Sequence, residues 1–516
     1  MRFFFIIILF FSFSCSKENT KVFHETTSKL RLDSLSPFYH GVSSGDPLSD
    51  GIILWTRVTP KVNNETIKVN WYISSDSLMN NIVQKGYFIT DFSRDFTVKV
   101  DVRGLEPGKT YFYFFNALKK NSVIGRTRTA SLDYDQLNLA VISCSDYQRG
   151  YFNSYAALAK EPNLDAVIHL GDYIYEYKAR DYSHGTFNRL HLPDKELISL
   201  EDYRIRYSQY KLDPDIIAAH MSHPFIVIWD DHETSNNTYM TGAKNHQSLL
   251  EGDFSERKSA ALQAYFEWLP IREEGYPYRN FSYGNLADLF ILEERLEGRT
   301  QQAENLEDPS LYDANRSMLG SAQLKWFSNH LKNSDAKWKI IGNQVIFSYL
   351  DYGRKDFRIN LDSWDGYPEE RKKIAKIIKD NNIENVVFAT GDTHQSWGFE
   401  VTHNPFTKEK NFMKPYAFEF GTPSLSAGNA NERYSNVPIQ EIIEHENYIT
   451  NSSLNPHLKY SNTRDHGYLV LNFNQKDVIA KWVYMNTLFR RSDSIKKTVK
   501  YKGNPNGYKL EKLTEN

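Results

Sequence analysis

The hydrophobic pattern of the chain changes character near residue 137. Before it, GIILWTRVT, KVNWYIS, FTVKVDV, TYFYFFNAL and VIGRTRT are short runs rich in β-branched and aromatic residues, separated by turn residues. They predict an all-β unit over residues 36–132. After residue 137, apolar runs alternate with stretches whose apolar residues recur at spacings of three and four. Phe152–Lys160, Glu256–Leu269, Ser321–Lys332 and Glu369–Lys379 are the predicted helices, the last led in by Pro368, which suits a first helical turn. The predicted strands are Ala140–Ile142, Ala166–Ile168, Phe225–Trp229, Leu289–Leu292, Trp338–Asn343 and Val386–Thr390. Such alternation implies an α/β domain over residues 137–488, with helices covering a largely parallel sheet. Residues 180–224 and 234–260 are long, polar, aromatic-rich insertions expected to wall a cleft. Tyr468–Phe473 and Val478–Tyr484 read as β again and complete the sheet layers, and residues 489–516 read as a C-terminal tail. His40–Pro47 is glycine-rich but lacks the lysine of a phosphate loop, so it reads as a turn.

Four of the strands stop at side chains able to bind metals. One ends at Cys144. A second runs into Gly171-Asp172, with Tyr175 beyond. A third ends at Asp230-Asp231-His232-Glu233, and a fourth at Gly391-Asp392-Thr393-His394. Glycine lets the backbone turn sharply, and ligands of such sheets bind beyond the carboxyl ends of strands. Each residue has a plainer reading by itself: Asp172 as a cap, Tyr175 as one of 33 tyrosines, Cys144 as a small buried residue. Four endings at one level shift the reading towards ligands. Asp230 and Asp231 point opposite ways on a strand, and Asp231, nearer the loop, is the better candidate. Asn236 and Asn237 read as loop caps or supporting contacts; Asp362, Trp364 and Asp365 read as caps or substrate contacts.

A thiolate, a phenol, a histidine and several carboxylates imply two kinds of ion. One must accept sulfur, nitrogen and phenolate oxygen. The carboxylate-rich remainder suits a hard cation such as Ca²⁺, Mg²⁺ or Mn²⁺. A phenol with a reference pKa of about 10 ligates at neutral pH only beside a strongly acidic ion, and Fe³⁺ fits. Asp172 is placed to bridge the two. A bridged pair acidifies water and neutralises charge on a phosphoryl group, so phosphate-ester hydrolysis is the natural assignment.

The net charge of −2 over 516 residues gives no basic excess for nucleic acid or an anionic membrane. There are two cysteines, Cys15 and Cys144. Arg2, the apolar run Phe3–Phe11 and Ser12-Phe13-Ser14-Cys15 form a segment too short to span a bilayer. It resembles a bacterial lipoprotein signal. The resemblance implies a signal peptide over residues 1–14, a lipid on the Cys15 thiol and a polar tether over residues 15–33. An ordinary secretory signal is the alternative, and both readings export the protein. With Cys15 lipidated, no disulfide forms.

GDYIY, WDDHE, GDTHQSW, the cysteine of SCS and NLDSWDGYPEERKK resemble the alkaline phosphatase D (PhoD-like) family, a branch of the metallophosphoesterases. HGVSSGDPLSDGIILWTRVTP and LEPGKTYFYFF resemble its leading β domain, so the likeness runs from about residue 36 almost to the end. It implies a metallophosphoesterase-type αββα sandwich preceded by a small fibronectin/Ig-like β-sandwich. It also implies a site with Fe³⁺ and Ca²⁺. Cys144 and Tyr175 would bind iron and Asp172 would bridge. Asp231, standing where the superfamily has the asparagine of GNH, would bind the second ion. Asp392 replaces the first histidine of GHxH, as in other members of this branch, and His394 matches the second. His232 is the candidate to contact the phosphate or protonate the leaving group. Leu292-Glu293-Glu294-Arg295 departs from an aspartate-bearing version of that stretch. The expected protein is an exported, lipid-anchored, monomeric phosphohydrolase. Its substrate is left open between monoesters, diesters, phospholipids and cell-wall phosphodiesters. A surface binding lipoprotein without turnover is the alternative from another class.

Overall fold

The apolar runs after residue 137 form strands of two sheets rather than one. In the computed structural model, which describes residues 26–60, 66–182, 189–273, 275, 277–407, 409, 413–451 and 453–516, Gln136–Ile142, Ala166–His169 and Pro224–Val227 lie side by side in parallel. They form the middle of a ten-stranded sheet. Ala287–Ile291, Trp338–Asn343, Val386–Thr390 and Pro415–Gly421 make the parallel centre of a second, seven-stranded sheet. The strand period of two decides what each side chain of this second sheet meets. Leu289, Ile340 and Val387 join a core shared with Val141, Ile168 and Leu471 of the first sheet. Their neighbours Phe290, Ile341 and Phe388 face the other way, onto Phe327, Leu331, Ile374 and Ile378 of the helices Gly320–Asn333 and Pro368–Asp380.

The helices Asn153–Leu158, Pro214–Ser222 and Phe254–Trp268 pack against the first sheet, and Leu200–Lys211 packs on Phe254–Trp268. Two of these fall in the segment 180–224, expected to be cleft wall. They are instead part of a structural layer. Leu200–Lys211 is buried nearly all round, Arg204, Arg206 and Lys211 included, so it shows no apolar stripe in sequence. A capping box of Ser199 and Asp202 starts it.

The N-terminal β unit is not closed on itself. Val42–Gly45, read as a turn, is a strand, parallel to Pro224–Val227 and antiparallel to Gly51–Arg57. A β-carbon on Gly45 would stand 2.0 Å from the Pro270 carbonyl oxygen. Crowding selects glycine at this position. Thr97–Arg103 continues the same sheet. The remaining strands make a five-stranded sheet around Ile67–Ser74 and Thr110–Ala117. Its Val69, Ile73, Tyr113 and Phe115 pack with Ile52, Leu54 and Val98, giving a sandwich-like unit whose second layer is one end of the large sheet. The Tyr111 hydroxyl accepts the Glu106 N–H at 3.0 Å, closing the expected corner. At the opposite end, the residues read as a tail form the strands Ile495–Asn504 and Lys509–Glu515. Part of the expected tether also packs on the domain: Thr27 is buried, its hydroxyl 3.0 Å from that of Ser208. The signal segment and Cys15 lie outside the described residues. Among the described residues, no helix is long and apolar enough to cross a membrane.

Candidate active site

Cys144, Asp172 and Asp231 follow three adjacent strands of the first sheet, while Asp392 and His394 follow Val386–Thr390 of the second. The rim is therefore shared by both sheets. Cys144, Asp172, Asp392 and His394 have φ of 62°, 55°, 63° and 61°. Left-handed backbone costs a non-glycine residue roughly 1–2 kcal/mol, and such strain gathers where side chains must be aimed. Gly171, at φ 98°, has no room for a β-carbon, which would stand 2.2 Å from the Asp230 nitrogen. That close approach brings the loops after two strands together.

Three overlapping groups result. One ligating atom each from Cys144, Asp172 and His394 lie within 4.8 Å of one another; so do those of Asp172, Asp231 and His232, and those of Asp230, Asp231 and Asp392. Asp172 is common to the first two groups. The Tyr175 hydroxyl donates to Asp172 Oδ2 at 2.9 Å and lies 3.2 Å from His394 Nε2. His394 Nδ1 is 2.8 Å from the Gly428 carbonyl oxygen, which accepts its proton and leaves the Nε2 lone pair facing the cluster. All seven candidates of the rim thus meet in one place. Asp230 joins them, against expectation, because the strand ends at Val227 and the alternation of side chains no longer applies.

The electrostatics show crowded negative charge. Burial pushes the Cys144 thiol and the Tyr175 phenol far up, with Asp172 adding to both. Burial also raises Asp172 strongly and lifts Asp392 to about 7. Burial lowers His394 to about 3, keeping it neutral. Asp231 falls below its ordinary value because Arg295 and His232 outweigh its burial. His232 is driven well up: burial opposes this, but Asp231, Glu176 and Asp172 outweigh it. Its Nδ1 is 2.7 Å from Glu176 Oε2, and its ring stacks 4.2 Å from that of Tyr175. Among the described residues, Asp230 Oδ2 is buried without a hydrogen-bond partner. An orphaned carboxylate oxygen amid like charges is what a cation relieves.

Sequence reasoning missed the residues that hold this rim. Glu233 accepts the N–H groups of Asp172, Tyr173 and Asp230 at 2.9, 2.6 and 2.9 Å, tying the two loops together. Arg295, fully buried, binds Asp230 through Nε, Asp362 through Nη1 at 2.7 Å and Asp392 through Nη2 at 3.1 Å. Glu293 shapes its loop, accepting from Trp229 Nε1 at 2.7 Å and from the Arg295 N–H at 2.8 Å. Glu294 accepts the Gln344 and Val345 N–H groups at 2.9 and 3.0 Å. The signal was present: the apolar run Leu289–Leu292 stops directly at three charged residues, as the other four stop at ligands. Asp362 also receives Arg299 at 2.6 Å, and Asp365 pairs with Arg371 at 2.8 Å.

Asp172, Asp231, His232, Asp392 and His394 line a cavity of about 350 Å³. Lys244, Arg354 and Arg433 line it too, none of them ion-paired among the described residues.

Comparison with known proteins gives the same answer along nearly the whole chain. The family described as PhoD-like phosphatase matches residues 139–482, and the PhoD-like phosphatase N-terminal domain matches residues 26–131. Alkaline phosphatase D of Bacillus subtilis (strain 168) is 37% identical over 448 residues, 83% of this chain and 74% of that protein. A solved structure of PhoD is similar at a TM-score of 0.83 and 32% identity, covering 93% of each chain. The chain belongs to the PhoD-like phosphatase family and is a phosphoric ester hydrolase.

Proposed function

We propose that this enzyme is a metal-dependent phosphohydrolase of the alkaline phosphatase/phosphodiesterase type, built on the metallophosphoesterase αββα sandwich and served by Fe³⁺ and Ca²⁺. One observation carries the reading: a single carboxylate, Asp172, belongs both to a thiol–imidazole group and to a carboxylate–imidazole group. The donor sets fit two different ions. Cys144, Tyr175 and His394 offer sulfur, phenol oxygen and neutral nitrogen, which suit Fe³⁺, with Asp172 between the sites. Asp231 and Asp392, with the orphaned oxygen of Asp230 beside them, suit Ca²⁺. Bound there, such a pair supplies Lewis acidity towards the phosphoryl oxygens and acidifies a water.

The chain's own residues do the rest. Glu176 holds His232 Nδ1, leaving Nε2 as the proton-bearing atom on the chamber side. From there it hands a proton to the departing alcohol oxygen as the phosphorus–oxygen bond breaks. Stacking on Tyr175 fixes its plane. Lys244, Arg354 and Arg433 attract the anionic ester. Export, with a lipid on Cys15 and a monomeric body at the membrane, completes the reading and rests on the N-terminal sequence.

The test is the purified protein with its metals, given p-nitrophenyl phosphate and bis-p-nitrophenyl phosphate. Release of p-nitrophenol, abolished by chelator and restored by added metal, is expected. Release from neither ester would overturn the reading.

A further inference from the structure

The five-stranded N-terminal sheet has an inner face, which builds the sandwich, and an outer face turned to solvent. Val69, Ile73, Tyr113 and Phe115 point inward, so the strand period of two turns Lys68 and Tyr72 outward on Ile67–Ser74, and Phe112 and Phe114 outward on Thr110–Ala117. On the neighbouring strands Ile89 stands opposite Lys68, Lys85 opposite Tyr72, and Arg126 opposite Phe112.

The chain as a whole has no basic excess, but this sheet does. Its five strands hold five lysines and arginines and no aspartate or glutamate. Arg128 pairs with Asp165 at 2.7 Å, and Arg126 Nη1 donates to the Ser222 carbonyl at 3.3 Å. Among the described residues, Lys68 and Lys85 form no ion pair, so their charge is left for a partner. The edge strand Ile82–Thr90 adds an apolar part. Ile82, Val83, Tyr87 and Ile89 are all exposed, the last two at 60% and 56%. A strand from a second copy is a poor cover for them: Val83 bulges out of the pairing, and Lys85 sits in mid-strand, both devices that block edge-to-edge addition.

Ring geometry decides between the remaining occupants. Tyr72 and Phe114 stack on each other at 4.8 Å and 9°, and Lys68 Nζ lies 4.3 Å above the Tyr87 ring. A sugar platform needs ring faces turned to solvent, and here ring faces are spent within the layer. What projects is ring edges, aliphatic tips and ammonium groups. An anionic bilayer takes that set: aromatic rings settle at headgroup level, aliphatic tips reach the acyl boundary, and lysines meet phosphates.

We propose that this outer face docks on an anionic phospholipid surface. The contact is separate from any lipid on Cys15, and it fixes which way the body lies against the membrane.

The chain from Ser16 onward keeps every described residue and lacks the lipid site, so it isolates the contact. Co-sedimentation with vesicles of equal parts phosphatidylglycerol and phosphatidylcholine, at low salt, is expected, with binding to pure phosphatidylcholine at least about tenfold weaker. Each lysine near such a surface is worth about fivefold, so the pair Lys68→Gln and Lys85→Gln should weaken binding about 25-fold. The pair Tyr87→Ser and Ile89→Ser, with all charges intact, should weaken it at least about tenfold. All four positions are exposed, and turnover of p-nitrophenyl phosphate in solution, unchanged in both variants, shows that they fold. Absence of binding to the anionic vesicles, equal binding to both vesicle types, or variants that bind as the parent does would overturn the proposal. Retention on polygalacturonate without binding to vesicles would overturn it too, by assigning the face to an anionic glycan.

Discussion

Replacing Arg295 by methionine removes the buried cation that pairs with Asp230, Asp362 and Asp392 together. Breaking a buried ion pair costs about 3–5 kcal/mol when the partner stays charged. Here two partners have an escape. Burial already lifts Asp392 to about 7 and Asp230 well above its ordinary value, so both can take up a proton once the guanidinium is gone. Asp362 keeps Arg299 at 2.6 Å. The loss expected in metal-free protein is therefore near the lower bound, about 3 kcal/mol at pH 7. Its dependence on pH has a definite sign. Arg295 and Arg299 outweigh the burial of Asp362 and hold it below its ordinary value. That stabilisation is present above the unfolded pKa of about 3.9 and is lost as pH falls through the lower folded value. The gap between the two proteins should narrow below about pH 4. Asp392 acts at the other end. Its folded pKa rises further in the variant, so the variant loses about 1.4 kcal/mol per unit of that rise once pH exceeds both values. The gap should widen from pH 6 to pH 9. Urea unfolding in chelator, followed by tryptophan fluorescence at about pH 3, 6 and 9, reads both trends. A loss under about 1 kcal/mol, or one that does not change with pH, would refute the assignment of Arg295 as the cation that balances this rim.

Further outcomes are expected at the same site. His232→Asn should lower kcat by about 10²–10⁴ for an alkyl phosphate ester, whose leaving oxygen needs a proton, and by much less for a p-nitrophenyl ester; equal losses for both would remove His232 as the proton donor. Iron-loaded protein should be coloured by a tyrosinate-to-iron charge-transfer band, and Tyr175→Phe should abolish the band; an unchanged spectrum would strike Tyr175 from the ligands. Chelation of Ca²⁺ should abolish turnover reversibly, and activity that persists in chelator would remove the hard cation from the reading. Glu293→Ala leaves the buried Trp229 Nε1 and the Arg295 N–H without their acceptor, a cost of about 1–3 kcal/mol for each, measurable as a lowered urea midpoint.

The strand-end ligands were legible because the physics that places them is local. An apolar run buries, glycine turns it, and the next polar residue must face the open end of the sheet, as at Ile168, Gly171 and Asp172. The αα spacing of Ser321–Lys332 and Glu369–Lys379 was legible for the same reason, each helix having one buried stripe. What escaped was set by distant neighbours. Val42–Gly45 hides as a turn because serine and glycine carry little strand signal, and at Gly45 the Pro270 and Phe225 carbonyls leave no room for a β-carbon. Leu200–Lys211 hides because its arginines and lysine are buried against partners far along the chain, such as Glu267 for Arg204 and Ser43 for Lys211. Arg295 hides because only the fold shows that Asp230, Asp362 and Asp392 surround it. Division of the strands between two sheets likewise depends on pairings that no single run encodes.

The strand Val42–Gly45 ties the order of synthesis to the order of assembly. It is made early, yet its parallel neighbour, Pro224–Val227, is made about 180 residues later. A chain emerging from its amino end must hold this short, glycine- and serine-rich segment unpaired on that side until the loop bearing Asp230 and Asp231 follows it out. Trimming the first hundred residues would not release a self-sufficient catalytic half. It would bare the flank of the strand that aims two carboxylates at the rim, and the first symptom should be sticking between molecules rather than slower chemistry.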